Sequence, residues 1–296
     1  MWIGIDLGGT KIEGVNLDAN GIVQNRERRP TPKNDGYHGI ITSIADLVFK
    51  LEQQSGETCT VGIGTPGAIS ARTGLMKNCN STILNNKPLK EDIEKALARE
   101  IKIANDADCF ALSEAHDGAA AGKSMVFGVI IGTGVGGGIV SHGQIHNGPN
   151  AIAGEWGHLV LDSQGPKCYC GRQGCIETYL SGPGLAQNYR NRGGDNTHDA
   201  KKIIANARDG DPLAKIVMQN YYDYFGRALA MVINILDPDI VVLGGGLSQI
   251  DELYQEGITA VAKHVFSDDL RTPIVQNLHG DASGVLGAAR LWPLPC

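Results

Sequence analysis

The chain has 296 residues, room for one large domain or two ordinary ones with a sizeable core, and its 42% hydrophobic and 20% charged residues are those of a globular protein. A formal charge of −6, with no basic cluster denser than Arg26, Arg28 and Arg29, argues against nucleic acid as a partner. No apolar run approaches 18 residues and the opening MWIGIDLGG has neither a basic n-region nor an h-region, so the expectation is a cytoplasmic protein without membrane contact.

Trp2 to Leu7 reads as a short apolar strand, Gly8-Gly9 as a tight turn, and Thr10 to Leu17 as a return strand. Ile40, Ile41, Ile44, Leu47, Val48 and Leu51 recur at spacings of 3 and 4, which predicts an amphipathic helix over 38–51, stopped near Gly56. Val61 to Gly64 and Ile101 to Ala104 read as buried strands, with a helix marked by Leu89, Ile93 and Leu97 between them. A helix over 106–121 is entered through Asn105-Asp106. The opening theme then returns: strand Met125 to Ile131, turn Gly132-Thr133-Gly134, strand Gly136 to Val140. Helices are predicted near 183–192, 197–208 and 212–236, a strand over 239–243, a turn at 244–246, and helices over 247–265 and 284–292. This weak repeat predicts an α/β chain of two related halves facing each other across a cleft. Typical domain sizes suggest residues 1–120 plus 285–296 as a small domain and 121–284 as a larger one.

Between the second hairpin and the later helices lies GEWGH (154–158), followed by CYCGRQGCIE (168–177). Three thiols within eight residues plus one imidazole, His158, Cys168, Cys170 and Cys175, form a Cys3His set suited to a closed, structural zinc site. The alternatives are a disulfide cluster or three unconnected buried thiols. A C-x-C pair bridges poorly, and Cys59, Cys79, Cys109 and Cys296 are isolated, so no disulfide framework emerges. Glu155 and Glu177 flank the block without being needed by it. With His158, whose second ring nitrogen must face a partner, they could hydrogen-bond vicinal hydroxyls; they could also only orient the metal knuckle.

Forty glycines are the outlier of the composition, and they cluster at 8–9, 132–138 and 244–246. Asp6-Leu-Gly-Gly-Thr-Lys11 is neither a Walker loop nor a Rossmann fingerprint, since a strand and not a helix follows. A hairpin tip still offers N–H groups to phosphate oxygens through Gly8, Gly9, Thr10 and Lys11, and Asp6 can hold a hydrated Mg²⁺. Thr133 and Gly134 repeat the device, and Gly244, Gly245 and Gly246 suit a base or ribose platform, although each could be an ordinary turn. Asn105-Asp106 is a natural helix cap; Asp106 at the carboxyl end of a strand could also take a proton from an attacking hydroxyl. Asn80, in the polar stretch KNCNST, suits sugar hydroxyls, as it suits any polar loop.

Taken together, IGIDLGGTK (3–11), NDAD (105–108), IIGTGVGGG (130–138), GEWGH, CYCGRQGCIE and VLGGGLS (242–248) resemble the ROK family of sugar kinases and repressors over essentially the whole chain. Within it, KNCNST (77–82), CFALSEAHDGAAAG (109–122) and HGDASG (279–284) look most like the bacterial fructokinase, or manno(fructo)kinase, branch. The resemblance implies a two-domain sugar-kinase or actin-like (ribonuclease H-like) fold with a zinc-binding insertion. It implies Asp106 as catalytic base, Asn105, Glu155, His158 and Glu177 around the sugar beside the Asn80 suggested by its polar segment, ATP and Mg²⁺ at the glycine loops, Zn²⁺ on the cysteine block, and a homodimer. With the hairpin starting at residue 3, the expectation is that no DNA-binding module precedes it. The expectation is therefore ATP-dependent phosphorylation of a free hexose at its 6-hydroxyl, fructose or mannose first. An N-acetylhexosamine or glucose kinase of the same family, a sugar-sensing regulator without catalysis and a zinc-knuckle interaction module are the alternatives.

Overall fold

A computed structural model describes residues 1–293. In chain order the strands and helices of the front part are β1 (Trp2–Leu7), β2 (Lys11–Leu17), β3 (Val23–Pro30), α1 (Gly36–Ser55), β4 (Thr60–Thr65), β5 (Ala68–Ile69), β6 (Met76–Lys77), α2 (Leu89–Leu97), β7 (Lys102–Asn105) and α3 (Asp106–Asp117). They are followed by β8 (Met125–Ile131), β9 (Val135–Ser141), β10 (Gln144–Ile145), α4 (Glu177–Leu180), α5 (Gly182–Asn191), α6 (Ala200–Arg208), α7 (Pro212–Leu236), β11 (Ile240–Gly244), α8 (Glu256–Ala262), β12 (Ile274–Gln276) and α9 (Ser283–Ala289). No described helix is long and apolar enough to cross a membrane.

Two compact units result. The first is Met1–Ala121 with Gly138–Ala153 and the chain from Leu278 on; the second is Gly122–Gly137 with Gly154–Asn277. This division differs from the simple split at residues 120 and 285 in giving the first unit both the 138–153 hairpin and the stretch 278–284. Packing explains both assignments. A methyl at Gly138 would lie 2.4 Å from the Ala107 carbonyl oxygen, so that strand runs hard against the start of α3. The buried Glu114 carboxylate of α3 accepts the N–H groups of Leu278 (3.0 Å) and His279 (3.2 Å) and the Ser283 hydroxyl (2.8 Å), fastening that stretch to α3.

The first unit is built on the sheet β3-β2-β1-β4-β7. β1 and β2, and β2 and β3, pair antiparallel; β4 and then β7 add in parallel, as crossovers through α1 and α2 require. Side-chain alternation sends Ile3, Ile5 and Leu7 to the face covered by α1, whose buried Ile40, Ile41, Ile44, Leu47, Val48 and Leu51 are the predicted stripe. Trp2 faces the other way, into a cluster with Val285, Leu286 and Ala289 of α9. That helix lies directly on backbone: a methyl at Gly62 would fall 1.9 Å from the Ala288 carbonyl oxygen. β3 escapes sequence reading because its residues, VQNRERRP, are polar and exposed, with little hydrophobic pattern.

The second unit has the sheet order β9-β8-β11-β12, with β9 counted only to Gly137. β8, β11 and β12 run parallel, and all of β11 is buried. The 25-residue α7 starts on Pro212 behind the Asp211 cap, which accepts the Ala214 N–H, and ends at left-handed Asp237. The predicted helix 247–265 is interrupted. Gly246–Gln249 and Asp251–Tyr254 are 3₁₀ turns, and α-helix holds only over Glu256–Ala262. Ile250 takes extended backbone (ψ 103°), a break that buries both Ile250 and Leu253.

Candidate functional site

In the first unit the predicted polar residues collect at the carboxyl edge of the parallel strands. Register places Asp6 beside Gly64 and Thr65 beside Asn105. Asp6 is thus two strands, roughly 10 Å, from the start of α3. Asn105 caps α3: its side-chain oxygen accepts the Ala107 N–H at 2.9 Å, and its amide nitrogen donates to the Gly67 carbonyl at 3.4 Å. Asp106 Oδ1 accepts the same Ala107 N–H at 2.8 Å. The capping role weighed for this dipeptide is therefore real for Asn105, and Asp106 stands on the first turn beside it.

Asn80 is exposed, on a loop held by Asn85, whose oxygen takes the Cys79 N–H (2.9 Å) and whose amide returns to the Cys79 carbonyl (3.0 Å). Burial, and after it the Asp106 carboxylate, pushes the Cys79 thiol up to about 11, so this loop faces the start of α3. Nothing in KNCNST alone marks Asn85 as the clamp.

The first glycine hairpin is stiffened from β3's end. The Gly8 N–H donates to the Lys11 carbonyl (2.9 Å), the Thr31 hydroxyl to the Gly8 carbonyl (2.7 Å), and the Thr31 N–H to the Thr10 carbonyl (3.0 Å). Burial raises the Asp6 carboxyl above its usual range, opposed chiefly by nearby Lys11. A cation at this position would remove that penalty. Lys11 itself is engaged: its ammonium lies 3.1 Å from Glu13, which also takes Arg28 at 2.8 Å and Arg26. Burial alone would raise the Glu13 carboxyl, but hydrogen bonds from Arg28, Lys11 and Arg26 outweigh it and hold the group below its ordinary 4.5.

Glu13→Gln therefore destabilises the protein at neutral pH, by about 1–3 kcal/mol, less than a fully buried pair because the three cations are half in water. The sign follows from the depressed value. The stabilisation is complete above about pH 4.5, the unfolded value, and fades as pH falls through the folded one. Urea melts from pH 7 to 3 should show the difference between wild type and variant shrinking in acid; a gap that widens in acid contradicts the assignment.

In the second unit Thr133 and Gly246 line one cavity of about 1100 Å³, together with Gly132, Gly182, Arg190, His198, Lys201 and Arg208. Gly244 and Gly245 do not line it; Gly245 instead makes the left-handed turn before Gly246 (φ 83°), where a methyl would lie 2.4 Å from the Ile131 carbonyl oxygen. The walls from α5, α6 and the turn before α6 carry no motif and were invisible in the sequence. Gly134 does not line the cavity; its neighbour Val135 donates its N–H to Glu177 Oε2 at 2.9 Å, which ties the second hairpin to the cysteine block. Glu177 is thus partly committed to backbone. Glu155 sits half-buried at the entry to the 3₁₀ turn Trp156–His158, which the Trp156 indole anchors by donating to the Gly136 carbonyl at 2.9 Å.

The cysteine block assembles as spacing suggested. Isolated bridges Val160–Cys175 and Lys167–Gln173 fold it back on itself. One ligand atom from each of His158, Cys168, Cys170 and Cys175 lies within 4.8 Å of the others, and all three thiols are unbridged, which removes the disulfide alternative. Cys168 Sγ stands 3.7 Å from His158 Nδ1, and Cys170 Sγ 3.6 Å from Cys175 Sγ. A tetrahedral zinc with Zn–S near 2.3 Å demands edges of about 3.8 Å, so three thiolates and an imidazole at these separations could hold it. The other ring nitrogen, Nε2, lies 3.1 Å from the Tyr169 hydroxyl. Tyr169 is a residue that motif reading passed over. Desolvation, then the charges of Glu177, Cys168 and Glu155, pushes the phenol up to about 12.

Comparison with known proteins adds a family. The ROK family pattern matches residues 2–294. The N-acetyl-D-glucosamine kinase of Haemophilus influenzae is 38% identical over 99% of both chains. The N-acetylgalactosamine kinase of a Shewanella species is 39% identical over 98% of this chain and 96% of its own. Among solved structures, the ROK hexokinase of Thermus thermophilus superposes with a TM-score of 0.88 at 31% identity, over 97% of this chain and 96% of its own.

Proposed function

The chain belongs to the ROK family and is a sugar kinase, a transferase that phosphorylates a sugar with ATP; from that premise we propose that its acceptor is an N-acetylated hexosamine, phosphorylated at the primary hydroxyl. The observation that carries this reading is the full-length similarity to two N-acetylhexosamine kinases. It displaces fructose as the first choice. Fructose or mannose remains a second reading, favoured by the segments 77–82, 109–122 and 279–284 and their likeness to the fructokinase branch.

In this reading Asp106 takes the proton of the attacking hydroxyl, and Asn80, Asn105, Glu155, His158 and Glu177 hydrogen-bond the sugar. The nucleotide enters the second unit's cavity at Thr133 and Gly246, with backbone N–H groups of the glycine turns toward its phosphates. Asp6 would hold Mg²⁺, which neutralises phosphate charge when bound; the raised Asp6 carboxyl suits a group awaiting a cation. His158, Cys168, Cys170 and Cys175 would hold a structural Zn²⁺ that supplies rigidity and no chemistry.

Coupled ADP release measured across N-acetylglucosamine, N-acetylgalactosamine, N-acetylmannosamine, glucose, mannose and fructose tests the proposal. An acetamide-reading pocket should show kcat/KM about 10- to 100-fold higher for an N-acetyl sugar than for fructose. Preference for fructose of similar size would transfer the assignment to the second reading.

A further inference from the structure

Tyr169 lies between two members of the metal-binding set, Cys168 and Cys170, and the residue is 73% exposed. Its ring meets the His158 ring edge-on, with centroids 5.3 Å apart and planes at 84°. One polar contact holds it there, the 3.1 Å approach of its hydroxyl to His158 Nε2. The following residues, Gly171 (φ 90°) and Arg172, are exposed, so little packing opposes movement of this loop tip.

The chemistry of the ring sets the direction of the bond. Nδ1 faces the Cys168 sulfur and is the nitrogen a metal would take. A neutral imidazole that ligates through one nitrogen carries its proton on the other, so Nε2–H is the donor and the Tyr169 oxygen the acceptor. One N–H makes one good hydrogen bond. If His158 is a sugar contact, as the proposed function holds and on which this step rests, the sugar oxygen and the Tyr169 oxygen want the same proton.

We propose that Tyr169 is a positioning residue that competes with the sugar for the His158 Nε2–H, so that its hydroxyl has to leave before the sugar can bind fully. It keeps the imidazole aimed and hydrogen-bonded until the acceptor arrives, and it lowers apparent sugar affinity by the worth of one exposed hydrogen bond. It does not take part in phosphoryl transfer.

Tyr169→Phe keeps the ring and deletes the competing oxygen. The expected result is a sugar KM about two- to tenfold lower, the value of one net hydrogen bond. The kcat and the ATP KM should stay within about twofold, and zinc content should match wild type by atomic absorption. Tyr169→Ala, which also removes the ring, should move the sugar KM in the same direction. A role confined to bracing the loop would instead raise KM or lose metal. An unchanged or raised sugar KM in Tyr169→Phe overturns the competition. If instead wild type phosphorylates no sugar of the panel, the sugar-site reading itself has failed; turnover with an unshifted KM refutes only the role of Tyr169.

Discussion

Asp106→Ala should lower kcat by about 10²–10⁴ while leaving the fold and ATP binding intact. Removing a general base forfeits the proton transfer that accompanies attack of the sugar hydroxyl on the γ-phosphoryl group. Positioning and charge neutralisation by the rest of the site account for the activity that remains. The structure makes the experiment clean. Asp106 shares the Ala107 N–H with Asn105, at 2.8 and 2.9 Å, so α3 stays capped when Asp106 is truncated. Loss of one of two cap acceptors should cost α3 less than the ~1 kcal/mol of a sole cap. Asp106→Asn preserves shape and a cap acceptor but cannot take a proton, and it should fall as far as the alanine. Turnover near wild type in either variant would remove Asp106 from the mechanism. A matching collapse in stability would mean that the residue serves the helix and not the reaction.

With zinc on the cysteine block, as proposed, its loss should produce the second large effect, and of a different kind. Structural zinc sites in small peptides are worth on the order of 10 kcal/mol. Apart from the thiols, the 159–176 block is held by two isolated bridges, backbone hydrogen bonds and side-chain bonds from Arg172, Tyr179 and Arg227, over a largely exposed surface. Chelation, or Cys170→Ser, should therefore loosen residues 155–177 and raise the sugar KM, with ATP binding less affected because the cavity walls from α5 and α6 do not depend on the thiols. Hydrogen exchange read peptide by peptide should show fast exchange confined to that block and, through the Val135–Glu177 bond, reaching the second hairpin. Purified protein free of zinc, or a Cys170→Ser protein that binds sugar normally, would end this account.

Much of the site was legible because its chemistry is local in the chain. Cys168, Cys170 and Cys175 lie within eight residues, and spacing alone constrains where three sulfurs can go. Glycine turns between apolar runs announce backbone that must approach something closely, and Gly245 is held in such a conformation. The missing parts are those whose partners are distant in sequence. The cavity wall from α6 reads as an ordinary amphipathic helix, because its place in the cavity comes from which face the fold turns inward. Tyr169 looks like a spacer between two ligands, and only the folded loop lays its hydroxyl on His158.

By itself the sequence determined the α/β class, the first strand pair and the helix that covers it, and the family, and it picked out the Cys/His cluster that the fold brings together, all of which follow from periodicity or short motifs. It could not determine that Lys11 would turn to Glu13, that Glu177 would accept the Val135 N–H, or that Glu114 would fasten residues 278–283 to α3. Each of these depends on which buried polar group finds which partner once the chain is compact, and burial makes an unmet partner costly. Tertiary structure alone decides those pairings, because a side chain's available partners are set by packing and not by its neighbours in the chain.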